Sequence, residues 1–584
     1  MRLYWKYLKK ILPLFILSII CMAVEAGVEL LQPTLMADII DVGVASGDLG
    51  YVLHTSGLML AAVAAYAIVA FLRNILSIRG AQYLSAYLRS DAYAKIQSLK
   101  PDELDRFGAG TLMTRITNDI SQVQNMTMGL MRIALRAPIL CIGGIIMAMR
   151  LNMELAVIPI ICCFIISGII MLNMKYGFPL FAKVQTALDN VNTVIREYLS
   201  GIRVVKAFNR FSFEVERFSG PNEQLRHTST FASRVMAIFN PLINLVIYGA
   251  IVVLLWIGGL KVNSGNVHAG QIIAFITYMT QILQSMNMLS NIFQRFVRTN
   301  ASCKRLEELF DAESLPELDK NVKPDLEKGL DFHNVSFAYA QSTGRAALTD
   351  VSFSCGVGER VGVIGATGSG KTTLINLVLQ FYQPTAGSIR IFGMDAADVD
   401  PGIIRQHLAV VPQRVVLFTG TILENICWGN ETASFEEVVA AAKAAHAHDF
   451  IMSFPEGYDT LIGHSGVNLS GGQRQRVAIA RALIKKPRIL ILDDCLSALD
   501  ALTEASIRDE LARDVKCGSL VVSQKISSLL DCDRIVVLDD GACVGVGKHT
   551  ELLETCQVYR DIYLSQYGAE ALHNQPGKEA VHHG

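Results

Sequence analysis

The chain has 584 residues, too many for one compact core, and 51% of them are hydrophobic, more than a soluble globular protein usually carries. Part of it is therefore expected in a membrane. A formal net charge of -1 supplies no global field for nucleic acid, which is not an expected partner, and the twelve cysteines have no framework spacing that would suggest a disulfide scaffold or a zinc site.

The opening "MRLYWKYLKK" is basic and runs into an apolar stretch that passes signal-peptide length without a small-residue cleavage pattern, so it reads as a retained first membrane helix. Apolar windows of roughly 20 residues, the length a bilayer core demands, lie near 12–39, 57–78, 133–149, 155–174, 235–260 and 272–293. An even count puts both ends on one side. The short connections 41–55, 150–154 and 261–270 contain only Arg150 and Lys261 as cations, whereas Arg2, Lys6, Lys9, Lys10, Arg79, Arg89, Lys95 and others crowd the opposite side. The positive-inside bias places both termini and the soluble half in the cytoplasm of a cell whose inner (plasma) membrane holds the spans. Segments 79–131 and 175–234 are charged, have helical periodicity and lack Pro/Gly-rich stretches, so they are expected as long antiparallel helical hairpins rather than independent loops.

Within the first span Glu25 and Glu29 stand four residues apart, on one helix face, at a depth where a carboxylate is costly unless it lines a polar cavity. Two readings follow: attraction of a cationic substrate, or a position near the outer water boundary with no ligand role.

The second half begins with a soluble α/β pattern. "RVGVIGATGSGKTTLINLVLQFY" supplies an apolar strand, a glycine-rich loop and an amphipathic helix. Gly365, Gly368 and Gly370, with Thr367 and Ser369 between them, let backbone N–H groups close on phosphates, Lys371 can reach the β- and γ-phosphates, and Thr372, followed by Thr373, can ligate Mg²⁺. About 120 residues on, "ILILDDCLSALD" reads as a buried strand delivering Asp493 to Mg²⁺ and Asp494 to the position of a water-activating base. Between them "NLSGGQRQRVAIARAL" places Ser470, Gly471, Gly472 and Gln473 at a helix start, a second anion-binding surface. Two phosphate-binding features fit one nucleotide poorly unless two domains meet head to tail, each closing the other's nucleotide.

These segments resemble the Walker A, signature and Walker B/D-loop motifs of ABC transporters. With "FGAGTLMTRITNDISQV" in the membrane half, residues 12–567 are similar to an exporter-type half-transporter: an α-helical membrane domain of six helices with long cytoplasmic extensions, then an α/β P-loop nucleotide-binding domain. The expected division is 1–310 membrane domain, 311–328 linker, 329–568 nucleotide-binding domain and 569–584 tail, where His573, His582 and His583 read as solvated rather than metal-binding. The resemblance implies that Tyr339 stacks on adenine, that Gln413 senses Mg²⁺ and couples to the membrane domain, and that Asp500 reaches across a dimer. ATP and Mg²⁺ are the implied cofactors.

Two positions depart from the family pattern, which usually has glutamate after the Walker B aspartate and histidine at the switch. Here they are Asp494 and Gln524. Shortening the acid retracts it by roughly an angstrom, a misplacement that can cost about a hundredfold in rate, and glutamine cannot become cationic. The expectation is a site that binds ATP and hydrolyses it poorly, in a chain that donates Ser470 to the competent site of a second, different half-transporter subunit. The pair would be an ATP hydrolase coupled to export of a small hydrophobic or amphipathic compound across the bilayer, multidrug efflux being the type. "IGHSG" also departs, placing His464 at a coupling position. A homodimeric exporter, an importer on the same fold, and an ATP-gated channel or regulatory subunit are the alternatives, separable by net flux in proteoliposomes. No peptidase-like stretch precedes the first span, so leader-peptide processing is not expected.

Overall fold

The computed structural model describes residues 2–315, 322–339, 346–463, 466–496, 501–514 and 517–568. The chain divides into two compact units, Met1–Ser98 with Phe107–Ala312, and Leu99–Arg106 with Glu313–Gly584.

The first unit is helical. A short helix α1 (Arg2–Lys10) precedes α2 (Leu12–Asp38), α3 (Leu49–Ser98), α4 (Pro101–Phe107), α5 (Ala109–Thr114), α6 (Ile120–Gly129), α7 (Arg136–Leu151), α8 (Val157–Ser200), α9 (Ile202–Ala207), α10 (Phe211–Asn263) and α11 (Ala269–Asp311), most of α4 belonging to the second unit. At 50 residues α3 is about 75 Å long. Helices α3, α8 and α10 thus continue far past their apolar windows, as the charged, glycine-poor segments predict. Among the described residues, five stretches are long and apolar enough to cross a membrane: 12–44, 49–98, 109–151, 157–200 and 211–263. The sixth expected window, 272–293, lies in α11 but is not among them, so six spans are not established; Thr277, Thr280, Gln281, Gln284 and Ser285 dilute its apolar run.

Polar side chains tie this bundle together. Ser18 of α2 meets Ser77 of α3 at 3.3 Å and donates to the Met131 carbonyl at 3.1 Å. Glu25, 1% exposed, sits 2.6 Å from Arg73 Nε and 3.2 Å from Arg136 Nη1, while Glu29 is 2.7 Å from Arg136 Nη2. Both carboxylates are thus engaged by arginines, partners that neither reading of the pair anticipated. Further along, fully buried Asp119 accepts from Ser302 at 2.9 Å and from Arg305 through both its Nε and Nη2.

The second unit is built on a ten-stranded sheet of order β5-β4-β1-β2-β12-β11-β3-β10-β9-β6. In chain order these are β1 (Leu330–Phe337), β2 (Leu348–Cys355), β3 (Arg360–Gly365), β4 (Ala386–Ile391), β5 (Met394–Asp395) and β6 (Leu408–Val411), then β9 (Ile489–Asp493), β10 (Gly518–Val522), β11 (Arg534–Asp539) and β12 (Ala542–Gly547), with β7 (Gly420–Thr421) and β8 (Leu461–Ile462) pairing separately. Strands β3, β10, β9 and β6 run parallel. Their side chains alternate between two cores: Ile489 and Ile491 enter one, Leu490 and Leu492 the other. A sheet covered on both faces requires such continuous apolar strands, which is why "ILIL" carries no polar residue. Lys100 pairs with Glu313 at 2.6 Å and Tyr382 donates to Asp105 at 2.6 Å, so the 99–106 segment packs within this unit.

The two acid networks differ in what a deletion would strand. Removing Glu25 leaves Arg73, whose side chain is 8% exposed, buried without its counter-charge, at a cost of about 3 kcal/mol. Removing Asp119 releases Arg305, already 45% exposed, toward water at a cost of about 1 kcal/mol. Thermal unfolding in detergent should therefore show Glu25→Ala melting below Asp119→Ala, and the reverse order would contradict this assignment.

Candidate nucleotide site

The C-terminal ends of parallel strands converge on one edge, where a ligand site forms in open α/β sheets. Strand β3 ends in the glycine-rich loop and helix α12 (Lys371–Val378) follows; β9 ends at Asp493, β6 leads to Gln413 and β10 to Gln524. Neighbouring strands thus deliver four segments that are far apart in sequence.

Gly368 and Gly370 adopt φ of 88° and 98°, backbone that side chains resist, and a Cβ on Gly370 would come within 2.6 Å of Leu348 Cδ2. Lys371 Nζ donates to the Gly365 and Ala366 carbonyls at 2.7 and 2.8 Å, holding the ammonium on its own loop. The hydroxyl of Ser369 is buried with no partner among the described residues. Thr367 and Thr372 are exposed, while Thr373 is buried and lies 3.2 Å from the Tyr339 hydroxyl. Tyr339 also makes edge contacts with Phe337 and Tyr382 at 4.9 and 5.2 Å, placing it beside the loop helix.

Gln413 joins the two acids. Its side-chain amide donates to Asp494 Oδ2 at 3.2 Å and its backbone N–H reaches Asp493. Burial pushes the Asp493 carboxyl above the usual range and the neighbouring Asp494 charge adds to this, against the Gln413 N–H and the Lys371 ammonium. Burial also raises Asp494, opposed by Gln413, Lys525, Lys371 and the Gln524 backbone. Lys371 itself is lowered by burial, with both carboxylates pulling the other way. Asp494 has φ of 42°, a left-handed backbone fixed in part by its N–H donating 2.8 Å to the Val522 carbonyl.

Gln524 is exposed, and its carbonyl accepts from Gln566 Nε2 at 2.6 Å while Gln566 Oε1 accepts from Ile526 N–H at 2.9 Å. Gln566 and Lys525 are site residues that motif spacing missed. Lys525 directly follows Gln524 and was open to reading; Gln566 lies 42 residues on, in a helix without a motif, and no local signal marks it.

Residues 15–286 match the ABC transporter transmembrane region family and residues 348–497 the ABC transporter family. The chain is 38% identical to the uncharacterized ABC transporter ATP-binding protein YfiB of Bacillus subtilis, over 95% of this chain and 96% of the relative. The chain belongs to the ABC transporter family. It is also 32% identical to an ATP-dependent lipid A-core flippase of Syntrophus aciditrophicus, over 85% of this chain and 83% of the relative. A solved bacterial Atm1-family ABC exporter with ATP bound superposes with a TM-score of 0.79 at 26% identity, covering 96% of this chain and 98% of the other. The chain is accordingly an ABC half-transporter of exporter architecture, with membrane and ATP-binding domains fused, and proteins of this kind work in pairs.

The loop fits the triphosphate of ATP: the uncrowded glycine backbone, the buried Ser369 hydroxyl without a partner and the Lys371 ammonium are donors gathered in one place. Ser470, by contrast, caps the helix Gly471–Leu483. Its hydroxyl accepts from Gln473 N–H at 3.2 Å and its own N–H donates to Gln473 Oε1 at 2.9 Å. A Cβ on Gly471 would meet nothing within 4 Å, and Ser470 and Gly471 are exposed. Among the described residues, neither Ser470 nor Gln473 bonds the phosphate loop or the acid pair. His464 and Asp500 lie outside the described residues, as do His573, His582 and His583.

The raised Asp493 carboxyl has a thermodynamic consequence. A folded-state pKa above the unfolded one means that ionised Asp493 costs stability, fully so above the folded pKa and not at all once pH falls to the ordinary carboxylate range. Without nucleotide, Asp493→Asn should therefore melt above the parent chain at pH 7, with the gap closing on acidification, yet lose the further rise on adding ATP with Mg²⁺. A variant that melts lower without nucleotide would contradict the electrostatic account.

Proposed function

We propose that the chain is the degenerate-site half of a heterodimeric exporter, moving a hydrophobic or amphipathic compound out of the cell, with both termini and the ATP-binding domain in the cytoplasm. The observation that carries this is the state of residue 494. An aspartate occupies the base position, one methylene shorter than glutamate, and its carboxylate accepts from the Gln413 side chain at 3.2 Å. Gln524, at the switch, offers a neutral amide that neither takes nor returns a proton. The lipid-handling names of relatives such as the lipid A-core flippase support an amphipathic cargo.

In this reading Lys371 and the Gly365–Gly370 backbone grip the triphosphate and Tyr339 turns to stack on adenine. Thr372, Asp493 and Gln413 would hold Mg²⁺, which would supply positive charge beside the acid pair. Asp494 leaves water poorly activated, so ATP remains intact and serves to keep two domains closed. The Ser470 edge, exposed and already organised by its cap, closes on the partner's nucleotide, where hydrolysis proceeds; Asp500 would reach across the same junction.

Two substitutions separate the roles. Asp494→Asn should leave steady-state ATPase of the reconstituted pair within about twofold, because the affected base contributes little. Ser470→Arg puts bulk and charge on the edge that serves the other subunit and should remove most turnover, on the order of a hundredfold, while ATP still binds this chain. If Asp494→Asn silences the pair and Ser470→Arg does not, the two sites are assigned the wrong way round.

A further inference from the structure

The peptide of the exposed switch residue Gln524 is held through both its N–H and its carbonyl. The chain leaves the sheet here, since β10 ends at Val522 and a short helical turn, Ile526–Ser528, begins two residues after Gln524. Backbone groups that leave a ladder need new partners. The Gln524 N–H donates to the Asp494 carboxylate, and its carbonyl accepts from Gln566 Nε2 at 2.6 Å. Gln566 Oε1 in turn accepts from Ile526 N–H at 2.9 Å. One side-chain amide thus commits its donor and its acceptor to a single three-residue stretch, as a neighbouring strand would.

The elements that supply these partners are themselves anchored. Gln566 stands on the helix Gln557–Tyr567, whose Tyr559 is fully buried with its hydroxyl 2.7 Å from His549 Nδ1. Just beyond Gln524 in the chain, Arg508 Nη1 donates to the Ser527 carbonyl at 2.7 Å, and buried Ser528 donates to buried Glu504 at 2.6 Å. Arg508 and Glu504 belong to another helix, Ala501–Asp514. The backbone of the switch is therefore fixed from two helices and from the acid pair. Gln566 is exposed, so ordering it costs side-chain entropy, which its two bonds to the switch backbone offset.

We infer that Gln566 is a positioning residue for the nucleotide: by fixing the Gln524 peptide, it sets where the Gln524 amide meets the γ-phosphate of ATP held by this chain. A glutamine amide has N–H donors for a phosphate oxygen. Asp494 belongs to the same clamp through the Gln524 N–H, so the acid at the base position also helps to place the switch. This rests on the nucleotide reading above, in which the switch residue faces the γ-phosphate, and adds to it a residue that lies in no motif.

The test uses the full-length pair in nanodiscs with Mg²⁺, in the cold to suppress turnover. A photoreactive labelled ATP analogue is crosslinked to this chain, and the concentrations of ATP and of ADP that halve the labelling are compared. Gln524→Ala should cut the preference for ATP about tenfold, as loss of a hydrogen bond to a charged group does, and Gln566→Ala at least about threefold with ADP competition unchanged. In the Gln524→Ala background Gln566→Ala should add nothing, because the amide it positions is already gone. If Gln524→Ala lowers the preference and Gln566→Ala does not, the inference is overturned while the γ-phosphate reading stands. Equal weakening of ATP and ADP by Gln566→Ala would make the residue a structural brace, and an additive loss in the double variant would route its effect elsewhere; either result overturns the inference. A parent without preference for ATP, or one whose preference survives Gln524→Ala, removes the γ-phosphate reading and this inference with it.

Discussion

Two adjacent carboxylates at the end of a buried strand set the terms for the nucleotide-binding unit. Burial raises the cost of charge on both Asp493 and Asp494, and the Asp494 charge adds to it at Asp493, so the surrounding chain must supply donors and cations. Parallel packing of β3, β10, β9 and β6 answers this by bringing Lys371, Lys525 and Gln413 to the same edge. The ATP site is thus a consequence of how an electrostatic conflict is distributed over four neighbouring strands. Gln413 is central because it addresses both acids from one backbone position, which ties the length of the 494 side chain to the geometry of the whole edge.

The membrane unit faces the same physics in a harsher solvent. Carboxylates on α2 persist because arginines on α3 and α7 reach them, and the serine contacts between α2 and α3 fix the separation at which those bonds form. Asp119 performs a related task between the π-helical turn Arg115–Asp119 and α11, although Arg305 keeps access to water there. Paired charge inside the bundle fixes helix positions.

The legible parts of the sequence were those whose chemistry needs fixed local spacing. The phosphate loop, the acidic strand and the Ser470 cap each read directly, because a strand, a tight turn and a helix start must be consecutive to work. Helical extension past the apolar windows was legible for a similar reason: periodicity is local. The partners of Glu25 and Glu29 were not, because Arg73 and Arg136 are 48 and 107 residues or more away along the chain and no period links them. The bracket that Gln566 places around Gln524 was invisible on the same ground. The apolar window in α11 was the least legible of the six, since Thr277, Thr280, Gln281, Gln284 and Ser285 interrupt its apolar run.

The central claim is that the site formed by this chain's own phosphate loop keeps ATP intact. The most direct measurement loads the assembled pair with a photoreactive ATP analogue, lets many turnovers pass, crosslinks, separates the chains and identifies the nucleotide on each. The account predicts triphosphate on this chain while the partner carries mostly diphosphate. Diphosphate on this chain in the same proportion as on its partner would contradict it.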